Sequence, residues 1–523
     1  MGFNNYLTSF KAQIRKHVRD VYQFRDTRSL TQQEVKAFVA EMLSSAVPIP
    51  QETVDWLRHM FAYVQDRDEM LVYDNTSGLW HFSESDHAIR NILTDYFTMI
   101  AEEATNANDV VFLEYAKSFF GVSRIPLLAT RLKTSISFLE RKSHDIYERV
   151  GHLRYFRTTN GKRALIDLSK PSYNLRVAPF SETQEMKLMH ISPVPISITD
   201  EEPTLWLSLI EEYMMHDPAR IEYFHKVLAY MMSPYNYNQA YIYFLGDGRN
   251  GKGTITKVLQ DILGPYTVRM NADLLNANPP SSFKKDDALA ASEGRSLLVF
   301  NEIDERMVAS TQNLKDITEG GRDEYGNKIM TVVRPAYKPN YEINICGIPL
   351  IIANNLLNFS DWSLIEPIFK RLVLVPFDYK IQVEDPTILN RLAEEYPKIQ
   401  AWLYMNYFKH KGILIKNEPK PTNVLMAFNQ YRKDSDILQM FWDECIEQTG
   451  VPTDMILRGD IYRMYVQFCK ANGRKPIRNK GTNGFHNLSE KFFKQHTLVM
   501  RNGSYYLTGV TQTQYYLTDV LKS

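Results

Sequence analysis

Between residues 240 and 377 the chain carries four short apolar runs, Tyr241–Leu245, Leu297–Phe300, 350–353 and 372–375, each nearly continuous rather than alternating. Strands buried on both faces read this way, so the runs predict a parallel sheet covered by helices. After the first run, Ile255, Val258, Leu259, Ile262 and Leu263 recur at helical spacing and stop at Gly264, which predicts a helix. Upstream, residues 204–216 and 218–232 predict two helices parted by Asp217-Pro218, with the proline in a first helical turn. Residues 191–203 are rich in turn formers and acids and predict a linker. The first 190 or so residues hold amphipathic stretches at 30–43, 89–104 and 127–150, so a mostly helical region is expected, with two strands at 71–73 and 78–82 about a turn. Near the other end the pattern predicts helices over 460–471 and 485–496, then a hairpin of 498–500 and 505–507 around Asn502-Gly503. The resulting division is an N-terminal domain (1–195), a linker and helical collar (196–239), an α/β core (240–385) and a C-terminal region (386–523).

Composition narrows the classes. With 44% hydrophobic and 23% charged residues the chain is not a disordered polymer, and 523 residues suffice for two to four domains. Sixty-one basic residues balance sixty-one acidic ones, so any nucleic-acid contact must come from local basic surfaces. Cys346, Cys445 and Cys469 are far apart in sequence, which excludes a CxxC zinc pattern and argues for a reducing compartment. No run of 18 apolar residues occurs, the first residues are polar, and Tyr6 stands where a myristoylation signal wants Ser or Thr. The expectation is a soluble cytoplasmic protein with no membrane partner; if a virus or mobile element encodes it, the compartment is the host cytoplasm.

The first apolar run leads into Gly246-Asp247-Gly248-Arg249-Asn250-Gly251-Lys252-Gly253-Thr254, a GxxxxGK loop set between a buried strand and a helix. Glycines let successive backbone N–H groups face an anion, and the helix N-terminus adds favourable potential. Lys252 is the residue expected on the β- and γ-phosphates of ATP. Gly253 replaces the usual Ser or Thr, and the hydroxyl follows at Thr254, which becomes the expected Mg²⁺ ligand. The alternative is a glycine-rich turn without a ligand. Downstream, Leu297–Phe300 delivers Asn301 and Glu302 to the carboxyl edge of the sheet, where ligands bind in open α/β folds. Glu302 is a candidate general base and metal ligand, with Asp304 a lesser one; the alternative is an acid capping the next helix. The third strand ends in Asn354-Asn355, amides able to orient a water or touch the γ-phosphate, or else a plain turn. Lys370-Arg371 precedes the fourth, and in a ring Arg371 would reach a neighbour's nucleotide; otherwise it is a surface arginine.

Residues 458–501 hold ten bases against Asp460 and Glu490, a local excess of +8 in a neutral chain. Arg474, Lys475, Arg478 and Lys480 are its densest part. Helices followed by a hairpin, with clustered bases, predict a winged-helix-like DNA-binding module; the alternative is a solvated basic face.

This ordered set resembles the superfamily 3 helicases, a branch of the AAA+ ATPases, and within them the poxvirus-type and phage/plasmid primase-helicase group. The carriers are the loop from Gly246 to Lys252, Phe300-Asn301-Glu302, residues 314–321, Ile351-Ile352-Ala353-Asn354-Asn355 and residues 370–377. The likeness is strong over about 204–380 and weaker over 70–200, where Gly78-Leu79-Trp80 and residues 165–168 are similar to the domain that precedes such helicase cores. The resemblance implies an α/β P-loop AAA+ core with a mainly α (α+β) N-terminal domain. It implies Lys252 on phosphate, Glu302 as the catalytic acid, Asn355 as the sensor and Arg371 as the finger acting in a neighbouring subunit. The chain departs from the family at Gly253, at Asn354, where Thr is frequent, and at Asn358, where Pro is. The resemblance further implies a homo-oligomer, a hexameric ring, moving on single-stranded or forked DNA 3′ to 5′ with ATP and Mg²⁺. A separate primase or polymerase is an implied partner. A DNA-contacting hairpin is implied at 331–344, where Arg334 and Lys338 would hold phosphates and Tyr337 would stack on bases; Lys315 would support the same surface or a subunit contact.

Asp66-Arg67-Asp68 is a tempting acidic pair for primer synthesis but lies in a polar stretch, so a surface charge cluster is expected. The leading expectation is a replicative DNA helicase of a phage, plasmid or mobile element. A P-loop nucleotide kinase is the rival enzyme, since Gly-Lys-Gly-Thr also suits such loops; it would phosphorylate nucleoside monophosphates without DNA. An origin-binding ring that uses ATP only to assemble is the non-enzymatic rival, and would footprint an origin without displacing a strand.

Overall fold

The computed structural model describes Gln33 and residues 60–74, 77–83, 139–301, 303, 307–319, 321–322, 328–359, 365–435, 437–472, 476, 485, 489–493 and 498–520. These fall into two compact units. One runs to Asp167 and takes in Asn174–Ile191 and Thr331–Ile343; the other holds Leu168–Tyr173, Ser192–Met330 and the chain from Asn344 onward.

Among its described residues the first unit is mainly strand, with more strands than the expected pair. Strands β1 (Phe61–Val64), β2 (Glu69–Asp74), β3 (Leu79–Ser83) and β4 (Leu139–Glu140) form a sheet of order β3-β2-β1-β4. The expected hairpin of β2 and β3 is present, antiparallel, with Tyr73 opposite Trp80. Met70, Leu71, Val72 and Trp80 are buried, and the Trp80 indole donates to the Gln184 carbonyl (2.9 Å). Of the expected 127–150 helix, residues 139–150 are described and helix α1 (Ser143–Val150) is the helical part; Leu139-Glu140 instead pairs in parallel with β1. The Asp66 carboxylate accepts from the Ser143 backbone N–H (3.1 Å) at the start of α1, so a residue distant in sequence meets the helix start. Strands β5 (Leu153–Arg157), β6 (Arg163–Asp167) and β7 (Arg176–Val177) make a second antiparallel sheet, followed by α2 (Phe180–Met186). Strands β2, β5 and β6 bury consecutive rather than alternate residues, so they show no period of two. The expected helices at 30–43 and 89–104 lie outside the described residues.

In the second unit, α3 (Thr204–Tyr213) and α4 (Pro218–Met231) follow the expected pattern. Asp217 caps α4, its carboxylate accepting from the Ala219 N–H at 2.8 Å, with Pro218 at the first helical position. Residues 192–203 do not hang free. Ile196 is fully buried, the Ser192 hydroxyl donates to the Ile262 carbonyl (2.7 Å), and the Gln400 amide donates to Ser192 (2.6 Å). Turn formers here satisfy the backbone of a packed segment rather than a linker.

Five strands, β8 (Tyr241–Leu245), β9 (Thr267–Met270), β10 (Leu297–Phe300), β14 (Ile348–Ala353) and β16 (Leu372–Pro376), form a wholly parallel sheet of order β16-β8-β14-β10-β9. The four apolar runs supply four of them. The fifth, β9, is a half-buried edge strand with Arg269 exposed, so it lacks the apolar signature of a covered strand. Helix α5 (Lys252–Leu263) connects β8 to β9, and the long α7 (Ile388–Lys409) packs on α3, α4 and α5. Between β10 and β14 lie β11 (Val308–Ala309), which pairs with β15 (Asn358–Phe359), and α6 (Thr311–Thr318).

The same stretch of sequence contains the hairpin of β12 (Thr331–Val333) and β13 (Tyr341–Ile343), which belongs to the first unit and packs on α1. Beyond α8 (Thr422–Ser435) and α9 (Ile437–Cys445), the C-terminal part has its own core around Phe441, Trp442, Tyr465, Phe468 and Phe485. It contains α10 (Arg458–Ala471), a β17 (Ile446–Gln448)–β21 (Val510–Gln512) pair, and a sheet β18-β20-β19 of Met455–Leu457, Ser504–Thr508 and Leu498–Arg501. The expected hairpin turns at Asn502 (φ +48°) and Gly503 (φ +75°), the left-handed pair a two-residue turn requires. Of the expected 485–496 helix, Phe485 and residues 489–493 are described; Phe485 and Glu490–Phe493 are helical and Ser489 is in a turn.

Candidate nucleotide site

Strand β8 ends at Leu245, and residues 246–251 turn directly into α5. Gly251 precedes the helix at φ +89°, and a Cβ there would stand 2.4 Å from the Tyr213 ring. Gly246 is equally constrained: a Cβ would lie 2.4 Å from both the Asn250 amide nitrogen and the Phe377 carbonyl oxygen. Both clashes are with fixed neighbours, so these positions take glycine on steric grounds. Asn250 is buried and braces the loop, its Nδ2 donating to the Phe377 carbonyl (3.1 Å). Just past β16, the Ile381 N–H donates to the Arg249 carbonyl (2.9 Å), and the Arg249 guanidinium pairs with Glu384 (2.8 Å).

Lys252 opens α5 and is 6% exposed. Its ammonium donates to the Gly246 carbonyl, the Asp247 carbonyl (3.1 Å), Asn250 Oδ1 (3.2 Å) and Asn354 Oδ1 (3.4 Å). Burial disfavours its charge and lowers its pKa to about 8. The loop thus holds a desolvated cation on uncharged oxygens, an arrangement that an incoming polyanion improves.

A cavity of about 430 Å³ opens beside the loop at the carboxyl edge of β10 and β14, lined among others by Gly253, Thr256, Lys257, Asn301, Ile303 and Asn354. Asn301 Oδ1 is buried with no hydrogen-bond partner among the described residues. A buried acceptor of this kind calls for a donor or cation. Gly253 is exposed, and a Cβ added there would meet nothing within 4 Å among the described residues. Thr254 shares a side-chain hydrogen bond with Tyr213, and the Thr256 hydroxyl donates back to the Lys252 carbonyl (2.8 Å). Glu302 and Asp304 lie outside the described residues, among which no three His, Cys, Asp or Glu side chains are placed to hold a metal ion.

The amide that reaches Lys252 is Asn354; the adjoining Asn355 accepts from the Tyr243 hydroxyl at its carbonyl. The sequence signal for Asn354 is its place as the first residue past a buried strand. Arg371 sits at the opposite, amino edge of the sheet, where its carbonyl accepts from the Tyr241 N–H (2.9 Å). A strand length, about 15 Å, separates it from the phosphate loop of its own chain. Its Nη1 is buried without a hydrogen-bond partner among the described residues, and burial lowers its pKa against the pull of Glu319 and Asp316.

On the hairpin, Tyr337 is fully exposed at φ +62°, Arg334 Nε donates to Asn340 Oδ1 (2.8 Å), and Lys338 pairs with Glu69 (2.8 Å). Lys315 is on α6, 4.0 Å from Glu319. Arg474, Lys475, Arg478 and Lys480 lie outside the described residues. Of the Asp66-Arg67-Asp68 stretch, Asp68 is exposed as expected of a surface cluster, whereas Asp66 and Arg67 are partly buried. Asp66 meets the Ser143 N–H, and Arg67, 10% exposed, lies between the rings of Phe82 and Tyr341 (4.1 and 4.7 Å) and pairs with Glu69.

No family model matches the chain. Over 255 residues it is 22% identical to “Putative helicase 022R” of Frog virus 3 (isolate Goorha), covering 45% of this chain and 25% of that protein. The chain therefore spans about a quarter of the length of the curated relative it matches. Among solved structures it is similar to the apo C-terminal region of NrS-1 (11% identity, TM-score 0.36, 71% of this chain and 100% of that one). It is also similar to a JCV helicase bound to a small-molecule acetamide (11% identity, TM-score 0.23, 51% of this chain and 65% of that one). Overlaps this loose leave the fold to be argued from the sheet itself. No helix among the described residues is long and apolar enough to cross a membrane.

Proposed function

We propose that the chain is an ATP-dependent DNA helicase of the superfamily 3, AAA+ type, working as a hexameric ring that moves on single-stranded DNA 3′ to 5′ during replication of a phage, plasmid or mobile element. The observation that carries this reading is the phosphate loop: a desolvated Lys252 at a helix N-terminus, beside a cavity lined by Asn354 and by Asn301, whose Oδ1 has no partner among the described residues, at the carboxyl edge of a parallel sheet. The similarity to a viral protein named as a helicase favours this over the kinase reading.

In the proposed reaction the loop N–H groups and Lys252 hold the β- and γ-phosphates, and Lys252 turns from loop carbonyls to phosphate oxygens. Glu302 accepts a proton from the attacking water, while Asn354 and Asn355 orient it at the strand end. The leaving charge is stabilised by Lys252 and by Arg371 of another copy. Mg²⁺ would supply charge neutralisation to the phosphates; Asn301 Oδ1 is the described group that would hold it or its water, with Glu302 and Thr254 as further ligands. Arg334, Tyr337 and the basic 458–501 region engage the strand.

ATP hydrolysis that rises on adding single-stranded DNA tests the assignment; DNA-independent phosphorylation of nucleoside monophosphates would establish the kinase instead. The open space at Gly253 supports a further prediction. Gly253→Ser should place a hydroxyl toward the metal and lower the Mg²⁺ concentration for half-maximal ATP turnover severalfold, whereas Gly253→Ala should not. Equal Mg²⁺ curves for the two variants would show that no metal lies within reach of this position.

A further inference from the structure

We propose that Glu69 is a latch that withholds Lys338 from nucleic acid, so that the N-terminal sheet sets how many cations the β12–β13 hairpin presents to a strand; this rests on the reading of that hairpin as a single-strand contact.

Glu69 opens β2 and is 6% exposed. Its carboxylate accepts from two cations, Arg67 Nε at 2.6 Å and Lys338 Nζ at 2.8 Å. The two differ in freedom. Arg67 is fixed between the Phe82 and Tyr341 rings, whereas Lys338 is 29% exposed and stands beside the exposed tip residue Tyr337. Lys142 pairs with Glu342 of β13, a second tie between the hairpin and the helix α1 region.

A pair with one member this buried is screened by salt much less than a surface pair. A phosphate must therefore outcompete Glu69 for Lys338. The competition is winnable because Arg67 stays behind: when Lys338 leaves, Glu69 is still neutralised and the penalty of an unpaired buried charge does not arise. That is the difference between a latch and a fixed structural pair. While it is closed, Arg334 is the other basic group near the tip, and it already holds Asn340 at 2.8 Å.

The test is binding of a fluorescent oligothymidylate to the full chain, followed by anisotropy over a range of salt concentrations. Glu69→Gln should tighten binding severalfold at low salt and steepen the log–log salt slope by about 0.7, the increment for one more phosphate contact on a single strand. In the Glu69→Gln/Lys338→Ala double variant that gain should vanish. Circular dichroism checks folding; if Glu69→Gln misfolds, Glu69→Asp, which retracts the carboxylate but keeps its charge beside Arg67, should show a smaller gain of the same sign. A folded Glu69 variant with unchanged or weaker binding, or a gain that survives loss of Lys338, overturns the latch. The underlying reading fails separately: if Arg334→Ala/Tyr337→Ala binds oligothymidylate as tightly as the unaltered chain, the hairpin is not a strand contact at all.

Discussion

Lys252→Ala is expected to lower ATP turnover by about 10²–10³-fold or more, the scale of losing one preorganised charge-stabilising group. Without nucleotide the ammonium is shared among two loop carbonyls and two asparagine oxygens, none of them charged. Transfer to a triphosphate replaces these with anionic oxygens, so the gain is concentrated in the bound and reacting states. Alanine leaves the loop's glycines and the Asn250 brace untouched, and assembly measured by light scattering should not change. A pH signature accompanies this. The Lys252 pKa is depressed to about 8, so the ammonium is present below that value and is lost as pH rises through it. Binding of ATP to the unaltered chain should therefore weaken above pH about 8, and Lys252→Ala should lack this weakening. Phosphate release and nucleotide titration across that range measure both effects.

Arg371→Ala should lower turnover by about 10³-fold or more while ATP still binds, as for loss of a trans-acting arginine. Arg371 stands at the amino edge of the parallel sheet, a strand length from its own phosphate loop, so it contributes nothing to that loop directly. Yet it keeps a half-buried guanidinium with one nitrogen unpartnered among the described residues, a costly state for a mere surface residue. Mixing Arg371→Ala chains with Lys252→Ala chains should restore part of the activity, since an intact loop from one and an intact arginine from the other then share a site. Absence of any recovery at every mixing ratio would place Arg371 outside the reaction.

The parallel core was largely legible because its strands are covered on both faces: continuous apolar runs mark β8, β10, β14 and β16, and glycine spacing marks the turn into α5. Strand β9 escaped because an edge strand needs no such run. The strands of the N-terminal unit beyond the expected β2–β3 pair escaped for a different reason. Its sheets rest on short strands and on long-range contacts such as Asp66 with Ser143 and Trp80 with Gln184, which no local periodicity encodes. In the same way charge alone does not reveal that Phe82 and Tyr341 enclose Arg67, while its neighbour Asp68 is exposed as the charge pattern suggests. In the candidate site, the loop and its lysine were plain from spacing, whereas the contact of Asn354 rather than Asn355 with Lys252, and the exposed room beside Gly253, depend on side-chain directions at a strand end and a helix start.

Strand displacement from forked DNA by the full chain tests the central claim most directly. With ATP and Mg²⁺, forks bearing a free 3′ single-stranded tail should be unwound, forks with only a 5′ tail should not, and Lys252→Ala should unwind neither. Vigorous ATP turnover with no displacement from either fork, or unwinding that persists in Lys252→Ala, would contradict the account.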